Sequence, residues 1–131
     1  HLDSHYKRFN ELPKLKPTLI EYITKYNTPV RDMGFANFID DFFGLDRVEF
    51  KKVGFDKISP SALISILNKR LLVGNNELMC HAGRISDQIA NKKYGKARDV
   101  ELNTLLSVEF KEYLTAHPEI ELINWNNVVN H

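Results

Sequence analysis

The sequence predicts a mainly α-helical fold, a single compact bundle of about five to seven short helices that forms one domain over residues 1–131. Apolar residues recur at helical spacing along much of the chain, Pro and Gly divide it into short segments, and several segments begin with a capping residue. The 131 residues are 43% hydrophobic, enough for a core without disulfides, and the lone Cys80 can form no internal bridge.

Three helices are predicted in the first part of the chain. One begins at Asp3 or Ser4 and ends before Pro13. The next spans about 18–26, because its first residues have the spacing of a capping box. A third is predicted over about 34–43, where Phe and Ile residues follow the spacing i, i+3, i+4, i+7, i+8 of a buried helical face.

The middle of the chain contains one ambiguous segment and one clear helix start. Residues 48–55 fit either a small β-hairpin or two turns of helix, and the alternation of Val48 and Phe50 favours the extended form. Ser59 followed by Pro60 is typical of an N-cap and a first helical residue. A helix is therefore predicted to begin there.

The last part of the chain is predicted to contain two or three helices. Asn76 would cap a helix that Gly95 closes, since its apolar residues alternate at spacings of four and three. Another helix is expected over about 100–115. The apolar run at 120–125 suggests a short final helix that packs its tryptophan on the domain.

The overall charge gives no reason to expect a polyanionic partner. The chain has 18 basic and 17 acidic residues, a formal net charge of +1. No apolar run is long enough for a transmembrane helix, and the first residues lack the pattern of a signal peptide. We therefore expect no membrane partner and a cytoplasmic location, and we expect the chain to be a segment of a larger polypeptide.

A basic stretch breaks this balance. It contains five cations against one Asp, whereas residues 101–121 contain five Glu and one Lys. Such a cluster is typical of phosphate-contacting surfaces, although a solvated helix end explains the same residues and is the commoner case. The candidate nucleic-acid-binding residues are Arg84, Lys92, Lys93, Lys96 and Arg98.

The same stretch has the letters of a helix-turn-helix. That motif has an Ile-Ala pair in its first helix, a Gly in the turn and an aliphatic residue in its second helix. Here these residues are the Ile-Ala pair at 89–90, Gly95 and Val100. The spacing departs from the motif by one residue on each side of the Gly. A Gly that ends one helix just before another begins gives the same residue pattern, and this is the favoured interpretation.

Two further clusters carry polar chemistry. Cys80 and His81 are adjacent, so on a helix they would point about 100° apart and could not act as a nucleophile and its base. The favoured interpretation is a core cysteine beside a surface histidine. Asp40 and Asp41, with Asp46 and Glu49 beyond, could bind a divalent cation or work as acid and base, but they more simply form the solvent-exposed face of the helix predicted at 34–43.

The eight Phe residues are expected to fill one core, with the alternative that some form an exposed patch for a partner. They are Phe9, Phe35, Phe38, Phe42, Phe43, Phe50, Phe55 and Phe110.

Three functions remain open from the sequence. The first is a non-catalytic helical module of a larger nucleic-acid-handling protein of the transcription or replication machinery, with 84–98 facing phosphate; an AT-rich coding composition extends this to a phage-encoded protein acting in the host cytoplasm. The second is a protein-interaction module such as an inhibitor, immunity or assembly domain. The third is a small toxin-like nuclease using His81 or His117. We expect no cofactor and no metal, assign no catalytic residue, and consider the segment alone more a binding module than an enzyme.

Overall fold

The computed structural model describes residues 15–26, 36–44, 54–86 and 95–124. Within these ranges the chain forms four α-helices, one short 3₁₀ helix and two short strands. None of these helices is long and apolar enough to cross a membrane. In chain order the elements are α1 (Leu15–Tyr26), β1 (Asn37–Ile39), the 3₁₀ helix (Phe55–Ile58), α2 (Pro60–Arg70), β2 (Asn76–Leu78), α3 (Gly95–Leu105) and α4 (Val108–Ala116).

The residues group into two compact units, each built from separate stretches of chain. One unit comprises residues 1–38, 72–77 and 122–131, and the other comprises 39–71 and 78–121. The second unit contains the buried core and all residues of the candidate site. The total of five to seven helices in a single domain stays a prediction for the chain as a whole.

The two strands form a small parallel sheet. The backbone N–H of Asn37 donates to the carbonyl of Asn75 at 2.8 Å, and that of Met79 donates to the carbonyl of Ile39 at 2.9 Å. The paired residue numbers rise together on both strands, which is the parallel arrangement. Parallel strands need a crossover connection, and here it contains the 3₁₀ helix and α2.

Two of the predicted helices are wrong. Residues 37–39 are a strand and 40–44 are not helical, where a helix was expected over 34–43. Residues 76–78 are a strand and 79–86 are not helical, where Asn76 was expected to start a helix. The two segments pair with each other across some forty positions of sequence. Local periodicity cannot detect such non-local pairing, which overrides helical propensity.

The cap at Ser59 is confirmed. Its hydroxyl accepts a hydrogen bond from the N–H of Ala62 at 3.2 Å, and α2 begins at Pro60. The helix expected near 18–26 is also present as α1. The helix expected over 100–115 is instead two helices, because Ser107 caps α4 by accepting from the N–H of Phe110 at 3.2 Å.

Three other predictions meet the described residues only in part. Gly95 is the first residue of α3, not the residue that closes a helix. Residues 120–124 are not helical, so the short final helix is wrong there, and Trp125 lies outside the described residues. The helix before Pro13 and the hairpin segment 48–53 also lie outside them.

One apolar core lies in the second unit and joins the loop after β1, the 3₁₀ helix and the last three helices. Phe42 and Phe110 belong to it, but Phe55 is 40% exposed, so the expectation that every Phe fills the core is wrong. Phe9, Phe35 and Phe50 lie outside the described residues. The buried members are Phe42, Ile58, Leu63, Leu67, Ala97, Phe110 and Tyr113.

Candidate active site

The loop that follows β1 carries two consecutive carboxylates. Asp40 is half-buried, whereas Asp41 is exposed and accepts a hydrogen bond from Nη1 of Arg70 at 2.7 Å. The fully buried ring of Phe42 anchors the loop in the core. These carboxylates were predicted on the wet face of a helix; they stand instead directly beyond the carboxyl end of a strand.

The segment that follows β2 carries Cys80 and His81. Cys80 packs against the core, as predicted for a core cysteine. His81 is half-buried, and its ring centroid lies 5.6 Å from that of Phe43 in the loop after β1. The surface histidine of the sequence prediction is therefore packed between loops and not free in solvent.

Asp40 and His81 thus lie beyond the carboxyl ends of neighbouring parallel strands. In parallel α/β sheets this edge is where ligands bind, because the loops there converge on one crevice. The contact between Phe43 and His81 joins the two loops directly. A carboxylate and an imidazole on adjoining loops are groups that can accept and donate protons.

Glu101 on α3 holds the second of these loops. Its side chain is fully buried, and Oε2 accepts a hydrogen bond from the backbone N–H of His81 at 2.5 Å. One turn earlier on α3, the carbonyl of Arg98 accepts from the N–H of Gly83 at 3.1 Å. The first two turns of α3 therefore hold the backbone of residues 81–83 at two points.

The Arg98 side chain lies against this backbone. A methyl group at Gly83 would lie 3.5 Å from both Nε and Nη2 of Arg98, an ordinary contact distance. Nε of Arg98 is buried and has no hydrogen-bond acceptor among the described residues. The edge of the guanidinium group formed by Nε and Nη2 thus faces Gly83 at the border of the site.

Arg84 forms a small polar cluster on the α3 surface. Its Nη1 lies 3.4 Å from Oδ1 of Asp99 and 3.1 Å from Oδ1 of Asn103. Nδ2 of Asn103 in turn donates to Asp99 Oδ2 at 3.1 Å. The charge of Arg84 is therefore partly offset by a neighbouring carboxylate.

The described residues of the predicted basic stretch have different surroundings and do not form one exposed basic surface. Arg84 contacts an acid, Arg98 is half-buried against Gly83, and Lys96 is exposed. Lys92 and Lys93 lie outside the described residues, as does the part of the helix-turn-helix pattern before Gly95.

His117, the other histidine of the nuclease hypothesis, has a local structural contact. Its Nδ1 lies 2.8 Å from the backbone carbonyl of Tyr113, so this nitrogen carries the proton and donates. Its ring also lies 4.2 Å from the Tyr113 ring, measured between centroids. His117 therefore covers the last turn of α4.

The described residues contain no group of three or more His, Cys, Asp or Glu side chains placed to hold a metal ion. Asp46 and Glu49, which the sequence grouped with Asp40 and Asp41, lie outside those residues.

Comparison with known proteins finds relatives along nearly the whole chain. The chain is 32% identical over 137 residues to a carbohydrate deacetylase of Vibrio cholerae serotype O1, covering 99% of this chain and 51% of that protein. It is 26% identical over 141 residues to a carbohydrate deacetylase of Clostridium beijerinckii, covering 98% of this chain and 53% of that protein. The chain is similar to carbohydrate deacetylases. It spans about half the length of these curated relatives. No family model and no solved structure matches it.

These similarities correct the functional prediction. The non-catalytic, nucleic-acid-handling module, with its phage origin, is wrong, because relatives matching almost every residue of the chain are named as enzymes. The interaction-module and toxin-nuclease alternatives fall with it. No motif of known spacing marked the site. The signal in the sequence is that Asp40-Asp41 and Cys80-His81 each come directly after two apolar residues.

Proposed function

We propose that this chain forms part of an enzyme that removes acetyl groups from carbohydrates. The observation that carries the proposal is the similarity to the Vibrio cholerae carbohydrate deacetylase, which extends over 99% of this chain. The chain spans about half of that relative, so the deacetylase activity of the relative is a proposal for this chain. An enzymatic function also fits the carboxylate of Asp40 and the imidazole of His81, which lie beyond the ends of the two strands.

Deacetylation adds water to the acetyl carbonyl and releases acetate from the sugar nitrogen or oxygen. One group must accept a proton from the attacking water, and one must donate a proton to the leaving atom. Asp40 and His81 lie at the strand ends and can exchange protons, whereas the neighbouring carboxylate of Asp41 is bound to Arg70. We assign His81 to proton transfer, because an imidazole changes its charge close to neutral pH.

The test is acetate release from a panel of N-acetylated and O-acetylated mono- and oligosaccharides. Acetate release should be measured with this chain and with the Vibrio cholerae relative whose matching residues are replaced by this chain. The hybrid supplies whatever the other half of the relative contributes. Release of acetate from a panel member by either protein supports the proposal, and its absence from both, with the unaltered relative active, refutes it.

His81→Ala is the informative variant, and His117→Ala is its matched control. Loss of a proton-transferring group typically lowers the rate by about 10²–10⁴-fold. The described contacts of the His117 side chain are with the Tyr113 carbonyl and the Tyr113 ring, away from His81, so its variant should retain the rate within a few-fold. Equal losses in both variants would remove His81 from the proposed chemistry.

The cytoplasmic location and a protein partner stay predictions. Nothing in the described residues tests either of them.

A further inference from the structure

Glu101 occupies a position that needs a physical explanation. It is a carboxylic side chain with 0% of its surface exposed, in an α-helix that packs on the apolar core. Removing such a group from water is strongly unfavourable unless hydrogen bonds replace its hydration. A sequence would be expected to place Leu or Met here if the position served only to fill space.

One hydrogen bond of Glu101 is made to the candidate site. Oε2 accepts the backbone N–H of His81 at 2.5 Å, twenty residues away in sequence. A hydrogen bond made away from water holds its donor more firmly than one that water can replace. The bond therefore determines where the backbone of residue 81 lies relative to α3.

Two other contacts complete the restraint on this segment. The N–H of Gly83 donates to the carbonyl of Arg98 at 3.1 Å, so the backbone is also held two residues further on. The His81 ring also packs against Phe43 of the loop after β1. Backbone and ring of His81 are thus restrained by different elements.

We propose that Glu101 is a positioning residue, whose buried carboxylate fixes His81 at the carboxyl end of β2 in the orientation that acetyl removal requires. The proposal rests on the proposed function and adds a residue that acts through His81 and does not touch the substrate. It requires an oxygen acceptor at position 101, whereas a space-filling role requires only volume.

The matched pair Glu101→Gln and Glu101→Met separates these roles. Gln keeps an oxygen that can accept from the N–H of His81, and Met has similar volume without one. Thr104→Val is the control, since Thr104 lies one turn further on the same helix and binds the carbonyl of Ile58 instead. Thermal unfolding verifies that each variant is folded, and Glu101→Ala replaces Glu101→Met if the latter does not fold.

The first measurement is independent of activity. In a ¹⁵N-labelled sample of the full 131-residue chain, we expect the amide proton of His81 to resonate downfield because it donates to a carboxyl oxygen of Glu101. The Met variant should lose this shift, the Gln variant should keep most of it, and Thr104→Val should leave it unchanged. An unchanged His81 amide in Glu101→Met would overturn the proposal.

The second measurement is the split between kcat and KM for acetate release. We expect kcat to fall about tenfold or more in the Met variant and KM to change little, because the substrate still binds but the acid–base group is misplaced. The Gln variant should recover kcat to within a few-fold of the wild type. Equal kcat in the Met and Gln variants would overturn the positioning role. If neither this chain nor the hybrid releases acetate while the unaltered relative does, the proposed function fails, and the amide measurement still decides the contact.

Discussion

The hydroxyl group of Tyr113 on α4 donates a hydrogen bond to Oδ1 of Asn68 on α2, at 2.7 Å. The ring of Tyr113 is buried in the core that these two helices share. The pKa of Tyr113 is raised above its ordinary value of 10.0, because burial disfavours the charged phenolate and the nearby carboxylate of Glu119 adds repulsion.

The raised pKa makes the stability of the fold depend on pH in the alkaline range. Below pH 10 the phenol is protonated in both the folded and the unfolded chain, so its full contribution is present. As the pH rises past 10.0 the unfolded chain loses this proton first, and the contribution is lost up to the folded pKa. Urea unfolding of the wild type should therefore show a steeper loss of stability above pH 10 than the Tyr113→Phe variant shows.

At neutral pH Tyr113→Phe should cost about 1 kcal/mol, the usual value of one hydrogen bond. Tyr22→Phe is the control, because Tyr22 is 58% exposed and its variant should follow the wild type throughout. A wild type and a Tyr113→Phe variant with parallel pH profiles would contradict the linkage.

Thr104 joins α3 to the 3₁₀ helix through a buried bond. Its hydroxyl donates to the carbonyl of Ile58 at 2.6 Å, and Thr104 is 3% exposed. Thr104→Val keeps the shape but leaves this carbonyl without its donor, so the free energy of unfolding should fall by about 1–3 kcal/mol. Thr115→Val removes a hydroxyl bond to Lys111 on the exposed side of α4 and should cost less than about 0.5 kcal/mol. Equal losses in chemical denaturation would show that burial does not set the cost.

Gly44 is a position where an added methyl group would force a buried neighbour to shift. A Cβ there would lie 2.7 Å from Cδ1 of Ile58 and 3.2 Å from Cβ of Ala97. Gly44→Ala should therefore destabilise the fold by about 1–3 kcal/mol, as overpacking of a core does. Thermal or urea unfolding measures this loss.

A second substitution tests the cause of that loss. Ile58→Val removes the methyl group that the new Cβ would strike, so the double variant should be more stable than the sum of the single changes predicts. Gly54→Ala is the control, because its Cβ would meet only the flexible side chain of Lys57 at 3.7 Å. Strict additivity at Gly44 and Ile58 would exclude the clash as the cause.

Local signals in the sequence predicted the helices that begin at well-capped positions. Ser59 and Pro60 stand next to each other, and the hydrogen bond that starts α2 joins residues only three apart. The helix near 18–26 was likewise visible in local spacing. The division at Ser107 was missed, because a capping serine within a longer apolar run looks like any polar position.

The candidate site could not be predicted in the same way. The sequence indicates Asp40-Asp41 and Cys80-His81 as candidate groups, but it predicts both pairs on helices. Phe and Ile residues near Asp40 satisfied a helical period by chance, and only pairing with residues 75–79 made this segment a strand. The function was missed with it, because no motif of fixed spacing connects the two pairs.

The sequence alone thus determined where α2 begins, because the hydrogen bond that caps it joins residues close in the chain. It also determined which residues can act as acids and bases. The tertiary structure decided that Asp40 and His81 follow parallel neighbouring strands and that Glu101 lies buried beneath His81. The physical reason is the distance along the chain. A cap satisfies donors within one turn, whereas the sheet and the Glu101 contact join segments twenty to forty residues apart, whose pairing depends on the whole core.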